Sequence, residues 1–335
     1  MTTIDEQAMQ LAVATAAQAR LRSRPNPWVG AVITNSSGVI ATGATEAVGG
    51  AHAEIVALRA AGERARGATL YTTLEPCHHI GRTGPCTKAI IDAGISRVVV
   101  GVVDPDEQVS GRGITAMRQA GISVEVGVCS QEVTAQLEPY LHHRRTKRPF
   151  VVLKMASTID GRTSAADGTS QWITGEDARR RVHELRAESD AILVGAGTVR
   201  VDDPYLNVRD VAGESPRRIV LGNIDAGAHV HPCLEYNGDL SSLLDTLGGE
   251  GVVQLLVEGG PRVAASFHSQ GLVNRYIMHI APVIAGGDDA NPVFRGSGAG
   301  TMAEMWRGRI VATTRLGDDI EIILQPLQSA SLAST

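Results

Sequence analysis

Glu75-Pro76-Cys77-His78-His79-Ile80-Gly81-Arg82-Thr83-Gly84-Pro85-Cys86, taken together with His52-Ala53-Glu54, decides how this chain is read. One imidazole and two thiols, His52, Cys77 and Cys86, suffice to hold a zinc ion with one position left open. Glu54, two residues after the histidine, need not bind metal and can move protons instead. His52 to Ala61 reads as a helix, and Cys86 opens another that runs to about Ala93. At helix starts the dipole and the free N–H groups favour anions, so a thiolate forms more easily there. A lone histidine is more often an ordinary surface or core residue. The full set at predicted helix starts favours a metal site.

Working outward, residues 5–20 read as a helix with acids in its first turn. Two prolines in Ser23–Gly30 break it and present Asn26 from a stiff loop. Ala31–Thr34 and Val39–Thr42 form a hairpin around Ser36-Ser37-Gly38. Strands Ala68–Leu74, Arg97–Val103 and Ser123–Val126 alternate with helices Gly113–Ala120 and Gln131–Leu141, which implies a three-layer α/β/α domain. His142–Pro149 is polar and basic and reads as a solvated connection, so the domains are residues 1–146 and 147–335. Beyond it, strands are expected at Phe150–Met155, Ala191–Val194, Arg218–Leu221, Val252–Val257, Tyr276–Ile280 and Ile320–Leu324. A helix is expected from Gly175 to Ala187, capped by Thr174 with Asp177 completing the cap, and another from Arg262 to Gln270. Gly195–Thr198 and Glu258–Pro261 are strand-to-helix turns of the kind that admits a phosphate, but neither is the G-x-G-x-x-G of a standard dinucleotide site.

The 335 residues suit two domains, and 43% hydrophobic with 20% charged content is ordinary for a soluble globular protein. A net charge of −5 gives no general footprint for nucleic acid, although small anionic substrates need only a few local cations. No apolar run spans a bilayer, the first residues have no secretory pattern, and the four cysteines suit thiolate ligands in a reducing cytoplasm. A homo-oligomer, dimer or tetramer, is expected.

The H-x-E…P-C…C set is the signature of zinc deaminases of nucleobases. Eight residues separate Cys77 from Cys86, where cytidine and nucleic-acid deaminases commonly use two, and the insert carries His79 and Arg82. A pocket for a base bearing a phosphate has use for both. Pro25-Asn26-Pro27-x-Val29-Gly30, His52-Ala53-Glu54 and the cysteine segment closely resemble the pyrimidine deaminase domain of the bifunctional riboflavin-biosynthesis deaminase/reductase family. Lys154-x-Ala156-x-Thr158-Ile159-Asp160-Gly161, Ser170-Gln171-Trp172-Ile173, Leu185-Arg186-Ala187, Gly197-Thr198-Val199-x-x-Asp202-Asp203-Pro204-x-Leu206-x-x-Arg209 and Glu258-Gly259-Gly260-Pro261 resemble its reductase domain.

The resemblance implies a cytidine-deaminase-like domain followed by a dihydrofolate-reductase-like α/β domain. It implies zinc in the first, NADPH in the second and a phosphorylated pyrimidine as substrate. It places Asn26, His79 and Arg82 at the deaminase substrate. It places Ser170, Arg186, Leu206, Arg209 and Glu258 at the reductase substrate, where the two arginines suit a ribose phosphate. Ala156, Trp172, Thr198, Asp202, Asn223 and the run Gly260, Pro261, Arg262, Val263, Ala264, Ala265 and Ser266 fall near the cofactor. Lys154 and Asp202 are either proton donor and organiser in the reduction or a structural ion pair. The chain departs from the family at Gly84, at Asp106 and at Gly222. Competing readings are a free-base, nucleoside or tRNA deaminase joined to another reductase, a chain with one active domain, and a binding module that keeps the fold.

Overall fold

The computed structural model describes residues 2–78 and 84–327, so His79 and Arg82 lie outside the described residues. Two compact units are seen, Met1–Lys147 and Arg148–Thr335.

The N-terminal unit runs α1 (Ile4–Ala17), β1 (Gly30–Asn35), β2 (Gly38–Ala44), α2 (Ala53–Ala61), β3 (Thr69–Leu74), α3 (Cys86–Asp92), β4 (Arg97–Val102), α4 (Arg112–Gln119), β5 (Ser123–Val126) and α5 (Ser130–Thr146). Thr3 and Glu6 cap α1 reciprocally. The strands lie in the order β2-β1-β3-β4-β5. The β1 pairings with β2 and β3 are antiparallel, and β3, β4 and β5 run parallel. Val98, Val99 and Val100 are fully buried, as expected for a parallel strand covered on both faces. Gly43 lets α2 lie hard on the sheet, because a Cβ there would stand 2.3 Å from the Ala53 carbonyl oxygen. That contact fixes the start of α2, which carries His52 and Glu54.

Helix α5 corrects the expected boundary. It continues through His142–Thr146 instead of stopping at Leu141, and His143 is buried. The basic segment is thus the last turns of a packed helix, where cations complement the dipole, and only Lys147–Pro149 forms the connection.

The C-terminal unit runs β6 (Phe150–Thr158), α6 (Glu176–Ala187), β7 (Ala191–Gly195), α7 (Ala196–Asp202), β8 (Arg217–Leu221), β9 (Leu234–Tyr236), α8 (Leu240–Gly249), β10 (Gln254–Val257), α9 (Pro261–Ser269), β11 (Arg275–Ala281), β12 (Gly308–Leu316) and β13 (Asp319–Pro326). The sheet order is β12-β13-β11-β6-β10-β7-β8-β9. From β11 to β9 the strands are parallel, and β13 and β12 close one side antiparallel. Alternation along the strands divides the core. Leu153, Leu193 and Leu255 pack with Leu243 and Leu247 of α8 and Phe267 of α9. Val152, Ile192 and Leu256 pack on the other face with Leu185 of α6 and Val199 of α7.

Helix α6 is capped by Gly175 and not by Thr174, and no side chain caps it. The Gly175 N–H instead donates to Asp319 Oδ2 at 2.7 Å, a tertiary bond that replaces the expected local one.

Candidate active sites

In the N-terminal unit two helix starts meet at the carboxyl end of β3. His52 is the N-cap of α2, and Cys86 is the first residue of α3. His52 Nδ1 lies 3.2 Å from Cys86 Sγ and 3.6 Å from Cys77 Sγ. All three donor atoms lie within 4.8 Å of one another. Zinc–nitrogen and zinc–sulfur bonds at tetrahedral angles require donor separations of about 3.5 Å, so this set fits a zinc ion. The Cys86 N–H donates to Cys77 Sγ at 3.4 Å, so the start of α3 itself stabilises the sulfur anion. Cys77 is drawn down to about 4, first by its hydrogen bond with Cys86 and then by His52 against the cost of burial. Cys86 is driven up by the same bond and by burial.

Glu54 sits behind these ligands, 3% exposed, without being one of them. Burial pushes its carboxyl up to about 7, with His52 opposing. A carboxyl poised there both takes and gives protons at neutral pH.

His52, Glu54 and Cys77 open onto a cavity of about 560 Å³ that Asn26 also lines. That is the size of a small-molecule site. Asp104, Asp106, Tyr140 and Arg144 also line the cavity wall, and of these Tyr140 and Arg144 were not legible in the sequence. Tyr140 Oη donates to Asp104 at 3.0 Å, and Arg144 Nε lies 3.3 Å from Asp106 Oδ2. Asp104 is thus braced from α5, and Asp106, one of the departures from the family, lines the cavity. Glu75 ties this wall to the cysteine segment. Its carboxylate accepts from the N–H groups of Asp104, Gly111, Gly113 and Ile114 at 2.9–3.3 Å.

In the C-terminal unit α7 follows β7 on one face of the sheet, and α9 follows β10 on the other. The β7–α7–β8 and β10–α9–β11 connections depart in opposite directions from adjacent strands. Ligands of open α/β sheets bind in the crevice at such a switch point. Here the two helix starts nearly touch. A Cβ on Gly195 would lie 2.9 Å from Val263 Cγ2, and one on Gly260 would lie 3.5 Å from Thr198 Oγ1. The glycines thus leave room for backbone N–H groups to approach a phosphate.

Two family models match the chain. The RibD C-terminal domain matches residues 149–322. The zinc-binding region of cytidine and deoxycytidylate deaminases matches residues 2–102. Riboflavin biosynthesis protein RibD of Aquifex aeolicus is 40% identical over 314 residues, 84% of this chain and 88% of that protein. The chain belongs to the RibD family. RibD of Escherichia coli is 38% identical, covering 85% of this chain and 89% of its own length. The structure of Acinetobacter baumannii RibD, form 1, superposes with a TM-score of 0.91 at 35% identity, over 97% of this chain and 99% of that one. A Thermotoga maritima structure described as a diaminohydroxyphosphoribosylaminopyrimidine deaminase/5-amino-6-(5-phosphoribosylamino)uracil reductase superposes at 0.86 and 33% identity, over 97% and 99%. As a RibD protein, the chain is a bifunctional enzyme of riboflavin biosynthesis, a zinc-dependent deaminase and an NADPH-dependent reductase.

The remaining residues expected at the RibD reductase site fall into three groups. Thr198 and Gly260–Val263 stand at the switch point. Ser266 donates back to the Arg262 carbonyl, and Ala265 is part-buried. Ala264 is fully buried with Phe267, so its side chain belongs to the core beneath α9 and not to a cofactor surface. Ser170 Oγ donates to Asp202 Oδ1 at 3.2 Å. Trp172 is 65% exposed under the guanidinium of Arg179, which stands 4.9 Å from its ring. Its flat face is therefore at the surface and not in the core.

The third group is buried. Arg186 is bidentate to Glu258 at 2.7 and 2.8 Å and donates to the Asn207 carbonyl at 3.2 Å. Its fork is thus engaged by the Glu258 carboxylate, the other buried residue expected at the substrate. The Asn207 contact secures the loop that carries Leu206 and Arg209. Leu206 is 2% exposed, and Arg209 is exposed with its N–H on His183. Lys154 projects from β6 on the α6 side of the sheet; Ala156, two residues on, shares that face. Its charged neighbours include Glu258, Arg186, Glu321 and Asp319. Burial lowers Lys154, and Glu258 pulls it back up.

Proposed function

We propose that the N-terminal unit hydrolyses the 2-amino group of 2,5-diamino-6-ribosylamino-4(3H)-pyrimidinone 5′-phosphate. The C-terminal unit then reduces the ribosyl side chain, giving 5-amino-6-(5-phospho-D-ribitylamino)uracil. The observation that carries the reading is the His52–Cys77–Cys86 tripod, with buried Glu54 behind it, opening onto a cavity sized for a base. When bound, zinc supplies an activated water and NADPH supplies a hydride. Glu54 would take one proton of the attacking water to the ring nitrogen, then carry the second, released from the new C2 hydroxyl as the carbonyl forms, to the departing amine as the C–N bond breaks and ammonia leaves. Asn26 and Asp104 offer polar groups to the ring across the cavity. His79 and Arg82 are proposed for the phosphate on the resemblance alone.

In the reductase unit the hydride goes to C1′, and the ring oxygen it frees needs a proton. Lys154, desolvated beside Glu258, is the donor we assign. Asp202, held by Ser170, orients the substrate or cofactor edge. Removing zinc by chelation should abolish ammonia release from the diaminopyrimidine. Reduction of the already deaminated substrate should stay at the parental rate. Loss of both activities, or of neither, would overturn this division of labour.

We further propose a cytoplasmic homo-oligomer. No helix among the described residues is long and apolar enough to cross a membrane. Cys77, Cys86, Cys129 and Cys233 are all free thiols. Strand β12 ends the sheet with Ile310 59% and Val311 41% exposed, and Met302 and Met305, shortly before it in the chain, are exposed too. An edge of this kind is a template for a second copy. The variant Ile310→Asp should lower the mass measured by light scattering toward that of one chain. An unchanged mass would exclude this edge.

A further inference from the structure

The carboxyl ends of β8 and β9 carry a polar group that includes Asn223, expected near the cofactor, and joins it to Asn237 and Arg200. Asn223 follows β8 and Asn237 follows β9, and Asn237 Nδ2 donates to Asn223 Oδ1 at 2.6 Å. Arg200, from α7, reaches to the same place, with Nη1 3.5 Å from the Asn223 carbonyl oxygen. That is a long hydrogen bond, and the guanidinium is exposed, with no carboxylate partner among the described residues. The cations at the opposite end of β8 are committed. Arg217 pairs with Glu250, and Arg218 donates to the carbonyls of Val230 and His231.

The sheet order gives this group a meaning. Going along the carboxyl ends, β6 brings Lys154 and Ala156, β10 and β7 bring the crossing of α9 and α7, and β8 brings Asn223. Three strand spacings separate β6 from β8, roughly 14 Å. An extended dinucleotide held with its pyrophosphate at the crossing and its reacting ring toward Lys154 would bring its other ribose toward Asn223 and Arg200.

We propose that Arg200, backed by Asn223 and Asn237, binds the 2′-phosphate of NADPH and sets the preference for NADPH over NADH. The proposal rests on the reading of this unit as the NADPH-using half. A guanidinium fork matches a phosphate dianion, and the two amides hold Arg200 at the rim through the Asn223 backbone. NADH presents a hydroxyl there, so the contact discriminates. Arg262, at the start of α9, stands instead at the crossing, where both nucleotides carry the same pyrophosphate.

The test is equilibrium binding of NADPH, NADH, 2′,5′-ADP and ADP to the full chain, followed by calorimetry, with folding checked by circular dichroism. Arg200→Ala should weaken NADPH and 2′,5′-ADP by roughly 10–100-fold, the loss of a charge-assisted contact, while NADH and ADP change by less than about threefold. Arg200→Lys, which keeps charge without the fork, should fall between. Arg262→Ala should weaken NADPH and NADH together. An unchanged NADPH-to-NADH ratio in Arg200→Ala, or a collapse of that ratio in Arg262→Ala alone, overturns the assignment while the cofactor reading stands. A parent chain that binds no NADPH removes both.

Discussion

Glu54→Gln is expected to cut the deamination rate by about 10²–10⁴-fold, the usual worth of a positioned proton shuttle. Zinc content should stay at about one per chain, because the ligands are His52, Cys77 and Cys86. The amide keeps the shape of a side chain that is 3% exposed, so the cavity is preserved. What is lost is a group that burial holds near 7 and that can act as base toward water and then as acid toward the leaving amine. Single-turnover ammonia release measures the chemical step, and metal analysis of the same sample shows whether the site is intact. A variant that releases ammonia at the parental rate with zinc in place would assign the proton to another group.

The second large effect is expected in the reductase unit. Arg186 and Glu258 are 11% and 12% exposed and make both arms of a bidentate pair. Burial alone would raise the Glu258 carboxyl, but Arg186, and then Lys154, hold it below the ordinary range. Arg186→Met strands that carboxylate. Breaking a buried pair from one side costs about 3–5 kcal/mol. For a unit of this size that is a melting point lower by about 6–20 °C. Lys154→Met should behave oppositely. It removes a cation that burial disfavours, so melting should move by only a few degrees. Reduction should fall by about 10²–10⁴-fold with NADPH binding retained. If Arg186→Met melts like the parent and loses only affinity for the phosphorylated substrate, phosphate recognition is its main work after all.

Much of this molecule was legible in its sequence, for local reasons. His-x-Glu and Pro-Cys fall at helix starts because the same caps and dipoles that begin a helix stabilise thiolates. The hairpin, the valine-rich β4 and the Gly turns after β7 and β10 follow from pattern and turn chemistry in the same way. Helix α8, absent from the expected elements, carries a readable signal: Asp239 caps it, and Leu240, Leu243, Leu244 and Leu247 form one stripe. Strand β12 carried none, since its residues are largely exposed and its hydrophobic pattern does not alternate. The part of the cavity wall that α5 supplies, Tyr140 and Arg144, was out of reach for a different reason. Asp104 and Tyr140 lie 36 positions apart and meet only because β4 and α5 pack together. The Arg186–Glu258 pair was out of reach likewise, because its two halves lie 72 positions apart.

Glu75 has a consequence for anyone who would move this pocket into another scaffold. The cysteine segment looks portable, a short run of ligands between a strand and a helix. Yet one carboxylate within it gathers the amides of Asp104, Gly111, Gly113 and Ile114. A transplant of the ligands alone would leave that anion buried without its donors, and the borrowed loop would lose its shape before any metal arrived. The smallest transferable unit is therefore the cysteine run together with residues 104–114, and a designer must carry both.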